Sequence, residues 1–213
     1  MLRQTFLAPR EAGQSQVEST TVFARPVSGV PADAQFDRAN SLVVRSLRQS
    51  RLLEAWLAEV KQSGTLPALA DFSAVRGYPE PGELTTFQVA SNGDDTRYFV
   101  VRESTLFGNF FGSSAEGRFL DEAVSPKKLR VARVSLDECV RQALPVFASF
   151  AADDGKNEQI ICERLALPFG NATTVTDILS TMKTTSWSKS DTMFARPGSQ
   201  ELKYSFRAII DLH

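Results

Sequence analysis

Residues 98–122 read YFVVRESTLFGNFFGSSAEGRFLDE, and this stretch decides the fold. It opens as a strand, because Tyr98, Phe99, Val100 and Val101 are the aromatic and β-branched types that suit a pleated, half-buried surface. Alternation places Tyr98 and Val100 on one face, Phe99 and Val101 on the other. Ser104 or Thr105 then caps a helical turn, since a hydroxyl oxygen accepts from backbone N–H groups left over at a helix start. Gly112 and Gly117 supply turn conformations closed to other residues. Five of the fifteen phenylalanines fall in this stretch. Phe107, Phe110, Phe111 and Phe119 cannot all face water, so they line either a solid core or a ligand cavity.

Upstream, 84–90 reads as a strand, and SNGDD at 91–95 as a hairpin turn into a second strand at 96–102, because Asn and Gly accept positive φ. Asp94 and Asp95 belong to that solvated turn rather than to a metal site. Residues 66–83, rich in Pro and Gly, form an irregular crossing segment. Residues 36–61 read as an amphipathic helix, with Phe36, Ala39, Val43, Leu47, Leu53, Leu57 and Val60 recurring at the helical period. Gly64 stops it and Pro67 follows. Two placements stay open for this helix. It packs on its own domain, or it is shared across a dimer through Leu53, Trp56, Leu57 and Val60.

Downstream, Ser125-Pro126 opens a helix that runs to about 144, since proline needs no N–H at the first helical position. Leu129, Ala132, Arg133, Leu136, Val140 and Ala143 share its inner side, and Pro145 ends it. Strands follow at 146–152, 159–169 and 173–186. Two strands, a helical block and three strands predict an α+β fold with one five-stranded antiparallel sheet. Helices cover one face, and the helix 36–61 lies on the other face or in a dimer interface. Strand 159–169 is apolar on both sides, which fits a sheet covered twice. Residues 1–35 form an arm with a short strand at 20–24, 36–64 the leading helix, 65–186 the domain and 187–213 a tail. TVFARPVS at 21–28 returns as TMFARPGS at 192–199. The two copies are either paired docking segments or coincidence.

Composition narrows the function. Of 213 residues, 42% are hydrophobic, enough for one core. Lys and Arg number 24 against 25 Asp and Glu, so the chain as a whole has no strong field for nucleic acid or anionic membrane, and only local basic patches remain. No apolar run approaches the roughly 20 residues that span a bilayer, so no membrane insertion is expected. The N-terminal MLRQTFLAPRE lacks the apolar core of a secretory signal, which predicts a cytoplasmic protein. Cys139 and Cys162, alone, are expected to be buried free thiols. The only histidine is His213. A Ser-His-Asp triad, a Cys-His pair or a histidine metal cluster inside the fold is excluded unless the terminus folds back. Carboxylate and lysine chemistry stay open.

The pattern resembles a PAS domain, closest to the stand-alone bacterial group found in alphaproteobacterial proteins. Three segments carry the likeness: LPALADF at 66–72 after a leading helix, FGSSAEGRFLDE at 111–122, and LPV at 144–146 followed by ERLALPF at 163–169. The resemblance covers about residues 37–186 and implies a non-enzymatic sensory or protein-interaction module. Such a module holds a small organic ligand between sheet and helices and dimerises through its leading helix. Its partners are then a second copy and an unidentified signalling protein. Flavin photosensors of the family carry a cysteine where this chain has Gly117, so cysteinyl-flavin photochemistry is not expected. Haem-binding members usually supply a histidine from the helical block, and none exists here, so histidine-ligated haem is not expected either. The cofactor stays unknown.

If a cavity exists, Phe99, Phe107, Phe111 and Phe119 are its expected apolar lining. Arg102 or Arg118 is the charged group, because a guanidinium fork grips both oxygens of a carboxylate. Glu163 shares a strand face with Ile161, Leu165 and Leu167 and needs a charged partner if that face is covered. An arginine from 98–102 or from the leading helix is expected there. The alternative reading is an α+β cavity enzyme using Asp or Glu chemistry assisted by Tyr98 or Lys183. A scaffold with a filled core is the third.

Overall fold

The structure, a computed structural model, describes residues 35–76, 83–92, 95–111, 114–153, 159–172, 174–186 and 204–212. The similar octapeptides at 21–28 and 192–199, the strand expected at 20–24 and His213 lie outside them. In chain order the elements are strand β1 (Asp37–Ala39), helix α1 (Leu47–Ser63), strands β2 (Leu84–Asn92) and β3 (Asp95–Arg102), helices α2 (Thr105–Phe111), α3 (Leu120–Ala123) and α4 (Pro126–Gln142), and strands β4 (Val146–Asp153), β5 (Gln159–Asn171), β6 (Thr174–Ser186) and β7 (Tyr204–Ile210). The strands form one sheet in the order β1-β7-β4-β5-β6-β2-β3.

The strands expected from the sequence, β2 to β6, are neighbours and pair antiparallel. The expectation of a five-stranded, wholly antiparallel sheet is nevertheless incorrect. β7 pairs antiparallel with β4, and β1 pairs parallel with β7, giving a mixed sheet of seven strands among the described residues. The reason is the edge of β4. Left open, it would present a row of unpaired backbone groups, and the alternating YSFRAII of β7 satisfies them. β7 comes from the segment read as a tail.

The leading helix also starts later than its apolar period suggests. Residues 37–39 are drawn into the sheet beside β7, and Asn40 then turns the chain by accepting from the Leu42 amide at 3.1 Å. Only at Leu47 does α1 begin, and it ends where expected, at Gly64 in the left-handed conformation (φ 71°). Of its two open placements, α1 takes the one on its own sheet. Trp56 Nε1 donates to the Pro168 carbonyl at 2.7 Å, and Gln49 Nε2 donates to the carbonyls of Glu163 and Thr181, both at 3.3 Å. Leu53 and Trp56 are 0% exposed. They are therefore core residues with no surface to offer a dimer, while Leu57 and Val60 are half-buried. Residues 66–72 seal the same face. The Leu66 amide donates to Ala172, the Gly170 amide to Pro67, and the rings of Phe72 and Phe169 lie 4.9 Å apart.

The opposite face holds α2, α3 and α4. Residues 134–139 of α4 are buried without a break, as expected of a helix enclosed on every side. The sheet curls far enough around α4 for the helix to bond with both edge strands. Arg133 donates to the Thr96 carbonyl of β3 at 3.1 Å, and Gln142 accepts from Arg38 of β1 at 3.1 Å. Arg38 also pairs with Asp211, just past β7, at 2.8 Å. α4 closes on Ala143 in the left-handed region (φ 52°), where a Cβ costs energy that glycine avoids. Ala143→Gly is expected to stabilise the fold by about 1 kcal/mol, raising Tm by about 2–4 °C. A melting curve checks this, and an unchanged or lower Tm contradicts it.

Candidate functional site at the sheet–helix junction

The helix-facing side of the sheet carries a continuous file of rings. Tyr98 and Phe87 meet edge to face at 6.4 Å, Phe87 and Phe107 at 5.5 Å, Phe107 and Phe111 at 4.3 Å. Phe110 continues the file to Phe150 of β4, at 4.9 Å from Phe111 and 5.5 Å from Phe150. Helical spacing puts Phe107 and Phe111 on the inner side of α2, and the period of two puts Tyr98 and Val100 beneath them. Outside α2 lies an open polar depression lined by Glu103, Thr105, Gly108, Asn109, Ser114 and Glu116. Glu103 shapes its wall by accepting from the amides of Ala115 at 2.5 Å and Glu116 at 3.0 Å.

One end of the ring file is charged. The Tyr98 hydroxyl donates to Asp137 Oδ1 at 2.5 Å, and Arg133 Nε lies 3.4 Å from Asp137 Oδ2. Asp95, more exposed, stands 3.7 Å from the same guanidinium. Asp137 is 1% exposed, and its Oδ2 has no hydrogen bond. Burial raises the Asp137 carboxyl above the usual carboxylate range, against the opposing pull of Tyr98 and Arg133. Burial, and then the charge of Asp137, push the Tyr98 phenol upward as well.

A raised folded value means that the folded state binds the Asp137 proton more tightly than the unfolded chain. Stability from this group is therefore fully present below the ordinary carboxylate value of 3.8 and is lost as pH rises through the raised folded value. Asp137→Asn removes the titration. The stability of the wild type minus that of this variant is expected to fall with pH across that window, then level off. Urea unfolding at a series of pH values reads the difference directly. A flat or rising difference contradicts the assignment.

The residues expected to bind a ligand divide into two groups. Phe107 and Phe111 lie together in the ring file, both buried. Phe99, Arg102, Arg118 and Phe119 do not join them. Phe99 points to the other face of β3, where its ring meets Phe119 at 5.5 Å. Arg97 lies 3.9 Å over the Phe119 ring and holds Asp121 at 2.9 Å and Glu122 at 2.6 Å. Arg118 is exposed and donates to the Glu122 carbonyl at 2.6 Å, and Arg102 is exposed. The GRFL motif at 117–120 is thus a clasp on the edge of β3. Gly117 (φ 77°) donates its amide to Val100, Phe119 stacks under Arg97, and Leu120 enters the core.

Among the described residues no arginine pairs with Glu163, whose buried Oε2 makes no hydrogen bond. It faces α1, whose Gln49 reaches its backbone carbonyl, and its register neighbour on β6 is Lys183. The sequence reading missed the role of Asp137. An aspartate on the inner side of the amphipathic helix 126–144, four residues after Arg133 and three before Val140, was the available signal. Cys139 and Cys162 are buried free thiols, as expected, and burial lifts the Cys162 thiol to about 11.

The fold and site define an α+β protein with a mixed seven-stranded sheet wrapped around a central helix. No protein-family model matches the chain, and no curated protein or solved structure matches it. Among the described residues, no helix is long and apolar enough to cross a membrane.

Proposed function

We propose that the chain is a non-enzymatic sensory or regulatory module of the PAS type. It takes a small organic ligand between α2 and the sheet, beside Phe107 and Phe111, and passes the change to a second copy or a signalling protein. The observation that carries this reading is the position of α4. It borders the ring file through Asp137 and Tyr98, and it also holds β1 through Gln142 and Arg38. β1 and β7 join the domain to the two outlying segments of the chain, so α4 links the ring file to them. A ligand shifts such a system only by binding one arrangement of α2 and α4 better than another.

The reading is tested by an absorbance scan and solvent extraction of the freshly purified full chain. A small molecule released on denaturation, and missing from a matched buffer blank, is the expected result. An extract identical to the blank, with no absorbance beyond the aromatic band, supports the filled scaffold instead.

A further inference from the structure

Phe107 is 0% and Phe111 4% exposed, so nothing enters between α2 and the sheet while α2 stays in place. α2 is seven residues long with Gly108 at its centre, too short to hold its form without outside contacts. Its two ends are fastened differently. At the start, Ser104 caps the helix by accepting from the Phe107 amide at 3.2 Å. Thr85 of β2 donates its hydroxyl to Ser104 Oγ at 2.9 Å and accepts from the Ser104 amide at 3.1 Å, and both residues are 1% exposed. At the far end, the half-buried Lys128 of α4 donates from Nζ to the Phe111 carbonyl at 2.7 Å.

Lys128 stands in an unfavourable place on its own helix. It is the third residue of α4, whose first turn has no acid, and a cation there opposes the positive helix end. At the end of α2 the same charge is favourable, because the last carbonyls of a helix lack partners and form its negative end. A residue that breaks the local rule of its own helix to serve another marks a junction used for more than helix stability. Outside α2, the polar depression lined by Glu103, Asn109 and Glu116 leaves open space into which the helix can tilt.

We propose that α2 opens as a hinged flap, pivoting at Ser104 with Lys128 as the latch, and that this motion admits a small molecule to Phe107 and Phe111. In the open form the Ser104–Thr85 bonds persist and the Lys128–Phe111 bond is broken. The purpose of the motion rests on the ligand-binding reading above; the motion itself is measured without a ligand.

Hydrogen exchange of the full chain, followed by mass spectrometry, tests the hinge. Removing a bond that is broken in the open form makes opening easier; removing one that persists there does not. Lys128→Met is therefore expected to speed exchange of amides 109–111 by about tenfold, the loss expected for a bond from a charged donor, and Lys128→Arg to bring it back to within about threefold of wild type. Thr85→Val is expected to lower Tm yet leave those amides within about twofold of wild type. Three results overturn the proposal: amides 109–111 unchanged in Lys128→Met, as fast in Lys128→Arg as in Lys128→Met, or accelerated by Thr85→Val as much as the strand amides are, which means that α2 opens only when the sheet does. The expected exchange pattern in a chain that carries no small molecule supports the hinge and counts against the ligand-binding reading alone.

Discussion

Truncating Trp56 to alanine is expected to destabilise the fold by about 3–5 kcal/mol, a loss of roughly 10 °C in Tm. Two costs combine. The indole is 0% exposed between α1 and the sheet, so its removal leaves a void that neighbours fill only in part. Its N–H also satisfies the Pro168 carbonyl, at 2.7 Å. Trp56→Phe keeps most of the volume and discards that bond, and is expected to cost about 1–3 kcal/mol. Urea unfolding followed by circular dichroism separates the two variants. A loss under about 1 kcal/mol for Trp56→Ala would place the indole at the surface and return α1 to a partner interface.

Gly170→Ala is expected to cost about 3 kcal/mol, although only one methyl group is added. A Cβ built on Gly170 falls 1.9 Å from the Thr174 carbonyl oxygen and 3.1 Å from the Thr176 amide nitrogen. Both obstacles are backbone and cannot swing aside. The β5–β6 register shifts at this point, between Phe169 and Gly170, and the Gly170 amide donates to Pro67 at 2.9 Å. An added methyl therefore pries β5 from β6 and loosens residues 66–72 with them. Gly64→Ala makes a useful contrast. Gly64 has open space around its Cβ position and strains only its φ, so a loss near 1 kcal/mol is expected. Equal losses for the two glycines, by chemical denaturation, would contradict the steric account.

Much of the framework was legible because it rests on short-range chemistry. The Asn-Gly pair in the sequence between β2 and β3, Pro126 at the start of α4 and Gly64 at the end of α1 each mark a boundary through backbone preferences that act locally. The apolar strand β5, covered on both faces, was equally plain. What escaped depends on distant partners. Phe36, Ala39 and Val43 satisfy a helical period, yet 37–39 are held straight by β7, more than 160 residues on. Nothing within residues 36–61 announces that competitor.

The site was half legible for the same reason. A cluster of phenylalanines predicts burial but not which side of β3 each ring takes. Strand alternation already set Tyr98 and Val100 apart from Phe99, and it was the better guide. The arginines of the expected site, Arg102 and Arg118, are surface groups. Buried charge instead comes from Glu138, Arg164 and Asp137, and the partner of Asp137, Tyr98, lies 39 positions away. That pairing becomes visible only once the sheet has curled around α4.

Native mass spectrometry of the full chain tests ligand binding at the ring file most directly. The wild type is expected to carry a small molecule that Phe111→Trp, which fills space beside Phe107, excludes while its melting curve stays cooperative. A bare chain mass for both proteins, or an adduct that the larger ring leaves untouched, would contradict it.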